Sequence, residues 1–162
     1  MSAVINASIN LPKNAPLADT SVMWGGVSVP HLAVASNGSF FVYAAKNGMS
    51  TILYKRSLGL ETVEPITGTE GGFAPFLSPD NQWVGFISDN KLKKVSLEGG
   101  RPQILAEATN SIGGTWADNG IIFFTIREGG VIYSISEKGG ESKLVEFKSH
   151  LQAEGHPGAL WP

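Results

Sequence analysis

Three stretches of this chain share one pattern, and their spacing limits the folds it can adopt. HLAVASNGSFFVYAA (31–45), FLSPDNQWVGFIS (76–88) and GGTWADNGIIFFTI (113–126) each carry a tight turn between two apolar runs. Aligned on that turn, Asn37, Asp80 and Asn119 correspond, as do Gly38, Asn81 and Gly120, at intervals of 43 and 39 residues. A second anchor lies downstream, in TILYKRSLGLE (51–61), NKLKKVSLEGG (90–100) and GVIYSISEKGG (130–140). There Leu53, Leu92 and Ile132 correspond at intervals of 39 and 40 residues. Two independent anchors with the same period mark a repeat architecture.

Each unit reads as four short strands. The first (HLAVA, FAPFL, GGTW) is apolar and ends in the turn. In SPDN, Pro79 presets φ for the second turn position and Asp80 tolerates the bridge or left-handed region, which is type I hairpin chemistry. The second strand (FFVYAA, WVGFIS, IIFFTI) is apolar on both faces, so both faces should be buried. The third alternates, with Tyr54, Arg56 and Leu58 on one face, as are Lys93, Val95 and Leu97, and Tyr133, Ile135 and Glu137; alternation marks a half-buried strand. Gly-Gly or Gly-Leu then signals a hairpin to a polar fourth strand. With 20 Gly and 9 Pro among 162 residues, every window that could hold a helix is interrupted. A four-stranded unit of about 40 residues is a β-propeller blade. A β-sandwich also uses many short strands, but nothing in it requires the same turn, aromatic strand and Gly-Gly to recur in phase.

These residues also resemble a known family, the TolB-like, WD-repeat-like (WD40-like) bacterial propeller blades often found C-terminal to Ser/Thr protein kinase domains. The resemblance rests on FLSPDNQWVGFISDNKLKKVSLEGGRPQILAEA, GGTWADNGIIFFT and GVIYSISEKGGESKLV, covers about residues 28–148, and is strongest in the middle unit. It implies a structural role for Ser78, Pro79 and Asp80 and carries over no catalytic residue. It also divides the chain into an outer, closing strand and linker (1–27), three blades (28–70, 71–110 and 111–150), and the start of a further blade (151–162). SINLPKNAPL resembles the outer strand that closes a ring against its last blade, and HPGALWP the opening of another innermost strand.

Three blades do not make a ring, since propellers have about 4 to 8. An open arc would leave an aromatic sheet face bare at each end, a large sticky patch. The expectation is therefore an all-β fold of about three blades per chain, with the ring completed by a second copy. Such a homodimer has six full blades. The alternative is that the chain is a fragment of a longer propeller; its start at Met and its length favour a complete small product.

The chemistry is mostly exclusion. A net charge of −2 argues against a nucleic-acid surface. The densest basic cluster, Lys91, Lys93 and Lys94, reads as a solvated strand edge. There is no cysteine, hence no disulfide or thiolate site. The N-terminus lacks the pattern of a signal peptide and no apolar run approaches the ~20 residues of a bilayer span, so no membrane partner and a cytoplasmic location are expected. G-x-S-x-G, H-E-x-x-H, P-loop and kinase motifs are all absent. His31, His150 and His156 are too far apart to read as a ligand set. Asp80-Asn81 and Asp118-Asn119-Gly120 lack the closing Glu of a calcium loop and are explained by turns, while Glu61, Glu64 and Glu70 read as a solvated edge. No catalytic residue, metal or cofactor is assigned, and the binding residues stay open. Trp83 and Trp116 read as core, Trp24 and Trp161 as candidates for a contact surface. Two functions survive: a non-catalytic module binding or scaffolding a protein or small ligand, with the loops at 68–73 and 108–114 lining one mouth; or an enzyme-associated propeller, kinase- or protease-linked or itself a hydrolase with its site in the channel. The inner strands (VSVPHLAVA, FAPFLS, TWA) offer His31 as their one titratable residue, which favours binding.

Overall fold

A computed structural model describes residues 10–18, 31–59, 62–126 and 131–146. Trp24, Trp161, His150, His156, Glu61 and the C-terminal HPGALWP lie outside the described residues. Among the described residues there are twelve strands and no helix. β1 (Leu32–Val34), β2 (Phe40–Asn47), β3 (Ser50–Ser57) and β4 (Val63–Pro65) form the first antiparallel sheet, in that order. β5 (Phe73–Leu77), β6 (Trp83–Ser88), β7 (Lys91–Ser96) and β8 (Gln103–Glu107) form the second. β9 (Gly114–Trp116), β10 (Ile121–Ile126), β11 (Val131–Ser136) and β12 (Lys143–Leu144) form the third. The innermost strands touch in succession, β1 to β5 and β5 to β9, so the sheets stack face to face as blades around one side of an axis.

That stacking explains why the second strand of each unit is apolar throughout. Val84 and Phe86 of β6 face back onto Phe40, Val42, Ala44 and Leu53 of the first blade. Ile87 of the same strand faces forward, with Phe73, Phe76 and Leu92, onto Trp116, Ile122, Phe124 and Ile135 of the third. A fully buried side chain of this size contributes about 1.5–3 kcal/mol, so each inter-blade face is a small hydrophobic core. β10 departs from the expectation of burial on both faces. Ile122 and Phe124 are buried, whereas Ile121, Phe123 and Thr125 are half-buried, because among the described residues no further sheet stands on their side.

At the other end the chain covers itself. Leu11 and Ala15 pack onto Phe41, Tyr43 and Ala45, with Tyr54 and Val63 alongside. Tyr43 Oη donates to the Ala15 carbonyl at 2.9 Å, and the Arg56 guanidinium donates to the Asn10 carbonyl. Burial, reinforced by neighbouring Tyr54 and opposed by Arg56, pushes the Tyr43 phenol up. Leu17 then pairs with Ala45 on the inner side of β2, beyond the end of β1. So one of the two sheet faces expected to be bare is covered from within, and the described part of the supposed outer strand lies on the first blade of its own chain. The physical reason is the apolar Phe41–Tyr43–Ala45 face itself, which residues 11–17 are long enough to reach and cover.

The repeated turn works as its sequence suggests, with one shift. The side-chain oxygens of Asn37, Asp80 and Asn119 accept the N–H two residues on, from Ser39, Gln82 and Ile121 at 3.0, 3.0 and 3.2 Å. The left-handed position falls on the following residue, Gly38, Asn81 or Gly120, at φ 69°, 56° and 75°. Here Gly or Asn is required, since most side chains clash there. After Gly120 the third turn is one residue shorter, so Phe40 and Trp83 correspond in register to Ile121. A further repeat sits in the loops before β5 and β9, unnoticed in the sequence. Thr69 and Ser111, both fully buried, each precede a Gly-Gly pair. Thr69 Oγ1 donates to the Ile66 carbonyl and accepts from the Leu53 N–H, at 2.6 and 3.0 Å. These loops are therefore held by internal hydrogen bonds.

Within the second blade, the ring of Phe76 lies where a side chain at Gly85 would be; a Cβ there would approach Phe76 Cζ to 2.2 Å. Gly85→Ala is predicted to lower unfolding free energy by about 1–3 kcal/mol through overpacking. Denaturant unfolding checks this, with a shift in midpoint and no change in slope.

Candidate functional site

The two inter-blade junctions are built from corresponding residues, and they differ at one corner. Between the first and second blades that corner is mostly apolar. Leu97 is part of the core and Leu77 packs against it. Lys55 on β3 lays its ammonium over Phe40, 5.3 Å from the ring centre, and pairs with Glu98 at 3.8 Å.

Between the second and third blades every one of these positions but the lysine changes. Trp83 stands where Phe40 was, Lys94 where Lys55 was, Trp116 for Leu77, Glu137 for Leu97 and Lys138 for Glu98. The correspondence is set by register, Lys55 opposing Val42 and Lys94 opposing Gly85. It is set as well by the turns, where the N–H of Glu98 and that of Lys138 each bond the serine hydroxyl two residues before, at 3.2 Å. The Lys94 ammonium sits 4.7 Å from the centre of Trp83 and 5.6 Å from that of Trp116, a double cation–π contact. Trp116 packs edge-on to Phe76 at 6.4 Å, and its indole N–H donates to Glu137 Oε2 at 3.1 Å.

Together these residues line a pocket of about 380 Å³, walled by the Ser78–Asp80 turn, Trp83, Lys94, Trp116, the Ala117–Gly120 turn, Glu137 and Lys138. Asp80 is held by the Ser78 hydroxyl at 2.5 Å and the Gln82 N–H; these bonds keep its carboxyl below the usual carboxylate range.

Lys94 corrects the reading of the basic cluster as a solvated edge. Lys91 pairs with Glu107 at 3.8 Å and Lys93 with Asp89 at 2.7 Å, but Lys94 is only 8% exposed. Alternation along β7 points Lys93 towards the first blade's side and Lys94 into the second junction. Trp83 and Trp116 do pack with the core, as their place in the repeat suggested, yet each also presents a ring to the pocket. The signal that could have found the site was the change of residue type between corresponding positions of successive units.

The ring axis offers a second surface. Ala33, Val34, Leu77, Pro79, Thr115 and Asp118 line a shallow hollow along the inner strands. His31 precedes β1, its carbonyl accepting the Ala44 N–H at 2.9 Å. Among the described residues no three of His, Asp and Glu come together as a metal-holding group, and no helix is long and apolar enough to cross a membrane. The loops at 68–73 and 108–114 lie at the opposite blade ends from the Lys94 pocket, tied by the Thr69 and Ser111 hydrogen bonds.

Acid should weaken the turn at this pocket. Because the Asp80 carboxyl is held below its ordinary value near 3.8, its contribution is complete above that value and is lost as pH falls through the lower folded-state value. Asp80→Asn keeps an oxygen for the Gln82 N–H and is predicted to flatten this acid dependence. Asp80→Ala removes both bonds and should cost about 1 kcal/mol at neutral pH. Thermal unfolding from pH 3 to 7 reads both.

No family model matches the chain and no curated protein matches it. Solved structures do. A putative TolB from Agrobacterium tumefaciens superposes with a TM-score of 0.63 at 14% identity, over 72% of this chain and 46% of that one. The β-propeller domain of the Trilobed protease from Pyrococcus furiosus, described as having an open velcro topology, gives 0.55 at 16%, over 73% and 42%. A prolyl endopeptidase gives 0.53 at 15%, over 72% and 21%. The chain thus spans less than half the length of these propeller proteins, and at such identities the likeness speaks for fold. Three four-stranded antiparallel sheets with these neighbours make this a TolB-like β-propeller repeat fold.

Proposed function

We propose that the chain is a non-catalytic propeller module that binds a protein or small ligand, and that a second copy completes the ring. The observation that carries the assembly is the forward face of the third blade. There Thr115, Phe123, Thr125 and Ile132 line an open apolar groove, the counterpart of the face that the second blade turns to the third. In such a ring the groove meets the first blade of the other copy, whose end face carries residues 10–18 over Phe41 and Tyr43, so the proposed contact is between the third blade and that strip of chain. Binding rather than catalysis is supported by the inner strands, which present Val34, Leu77 and Thr115 to the axis rather than converging acids and histidines.

A second reading, an accessory propeller within a larger enzyme, draws on the similarity to the protease and endopeptidase structures, of which the chain covers 42% and 21%. The two make different predictions for the isolated chain. Light scattering should give twice the mass of one chain, and Phe123→Glu should return it to a single mass with blades still folded. A stable monomer at high concentration, unaffected by Phe123→Glu, removes the ring-closing reading.

A further inference from the structure

We infer that the pocket between the second and third blades binds a ligand carboxylate, which takes the place at Lys94 that Glu98 holds at Lys55. This deepens the binding half of the proposed function and rests on that reading.

The argument starts from charge. An ammonium taken out of water needs acceptors or a counter-charge. At the first junction, Lys55 has both an aromatic ring and a carboxylate, Glu98. At the second, the corresponding lysine is more deeply enclosed and stands against two indoles, yet among the described residues it has no hydrogen bond and no ion pair. The residue in the place of Glu98 is Lys138, a like charge. Of the carboxylates that line the pocket with it, Glu137 is engaged by the Trp116 N–H and Asp80 by the Ser78 turn, and Asp118 forms no ion pair with Lys94. Lys94 Nζ is not sealed in, because the buried side-chain polar atom without partner or solvent among the described residues is Arg56 Nε. Lys94 therefore reaches the pocket that it lines.

The walls indicate what kind of anion fits. Two indole faces favour a flat or apolar body beside the acid group. Asp80, Asp118 and Glu137 line the same space and oppose added negative charge, a compact multiply charged anion such as phosphate more strongly than a singly charged one. A single carboxylate remains, from a free small acid or from a Glu or Asp side chain of a peptide. Both sources present the same group to Lys94.

Tryptophan fluorescence titrations with benzoate, N-acetyl-glutamate amide and inorganic phosphate test this, since Trp83 and Trp116 flank the site. At least one of the two carboxylates should quench saturably, the stronger naming the source, while phosphate does not. Lys94→Met should weaken that binding more than tenfold. Lys138→Glu restores the residue type that the first junction has, so it should compete with the ligand, weaken binding by a similar factor and raise the melting temperature. Light scattering on each variant, unchanged from the wild type, separates loss of this site from loss of the assembly. Absence of saturable binding by both carboxylates, equal binding of phosphate, or wild-type binding in Lys138→Glu would overturn the inference; the last variant keeps the test valid where Lys94→Met fails to fold.

Discussion

The structure depends on one constraint: a sheet with apolar residues on both faces needs a neighbour on each side. β6 meets it completely, with Val84 and Phe86 turned to one blade and Ile87 to the other. Nothing within a single blade could bury both sets, because four short strands make one layer and a layer has two surfaces. The covering of the first blade and the open groove on the third both bear on this requirement.

The two ends of the stack meet it differently. At the first blade, residues 10–18 lay a strip of chain over Phe41 and Tyr43 and bring both below 3% exposure. A strip suffices there because the Tyr43 hydroxyl and the Arg56 Nη1 find backbone carbonyls in it, which leaves Arg56 Nε as the one buried side-chain polar atom without a partner among the described residues. At the third blade, Ile121, Phe123 and Ile132 keep partial exposure, and among the described residues no further sheet covers their forward face. The proposed second copy answers this asymmetry.

Much of the fold was legible because its signals are local. Asn37, Asp80 and Asn119 bond the backbone two residues on, so their turn recurs as residue types at a fixed period. The double-sided apolar strand is equally plain in FFVYAA and WVGFIS. The candidate site was not legible, because its meaning lies in a difference between junctions. Lys94 looks like Lys93 in a run of lysines, and only the strand's alternation and the register opposite Gly85 turn it inward. Likewise, that Lys138 replaces Glu98 means nothing until Lys55 is seen to pair with Glu98. The capping of the first blade was hidden for a related reason: the contact between Ala15 and Tyr43 spans 28 residues and leaves no periodic trace.

The requirement that every blade face be covered is tested most directly by native-state hydrogen exchange followed strand by strand at several protein concentrations. Strands β6 and β7, covered on both faces within one chain, should show high protection that changes little with concentration. Strands β10 and β11 should be weakly protected in dilute solution and gain protection as concentration rises, when a second copy covers the Phe123 face. Equal and concentration-independent protection of the second and third blades would contradict the account.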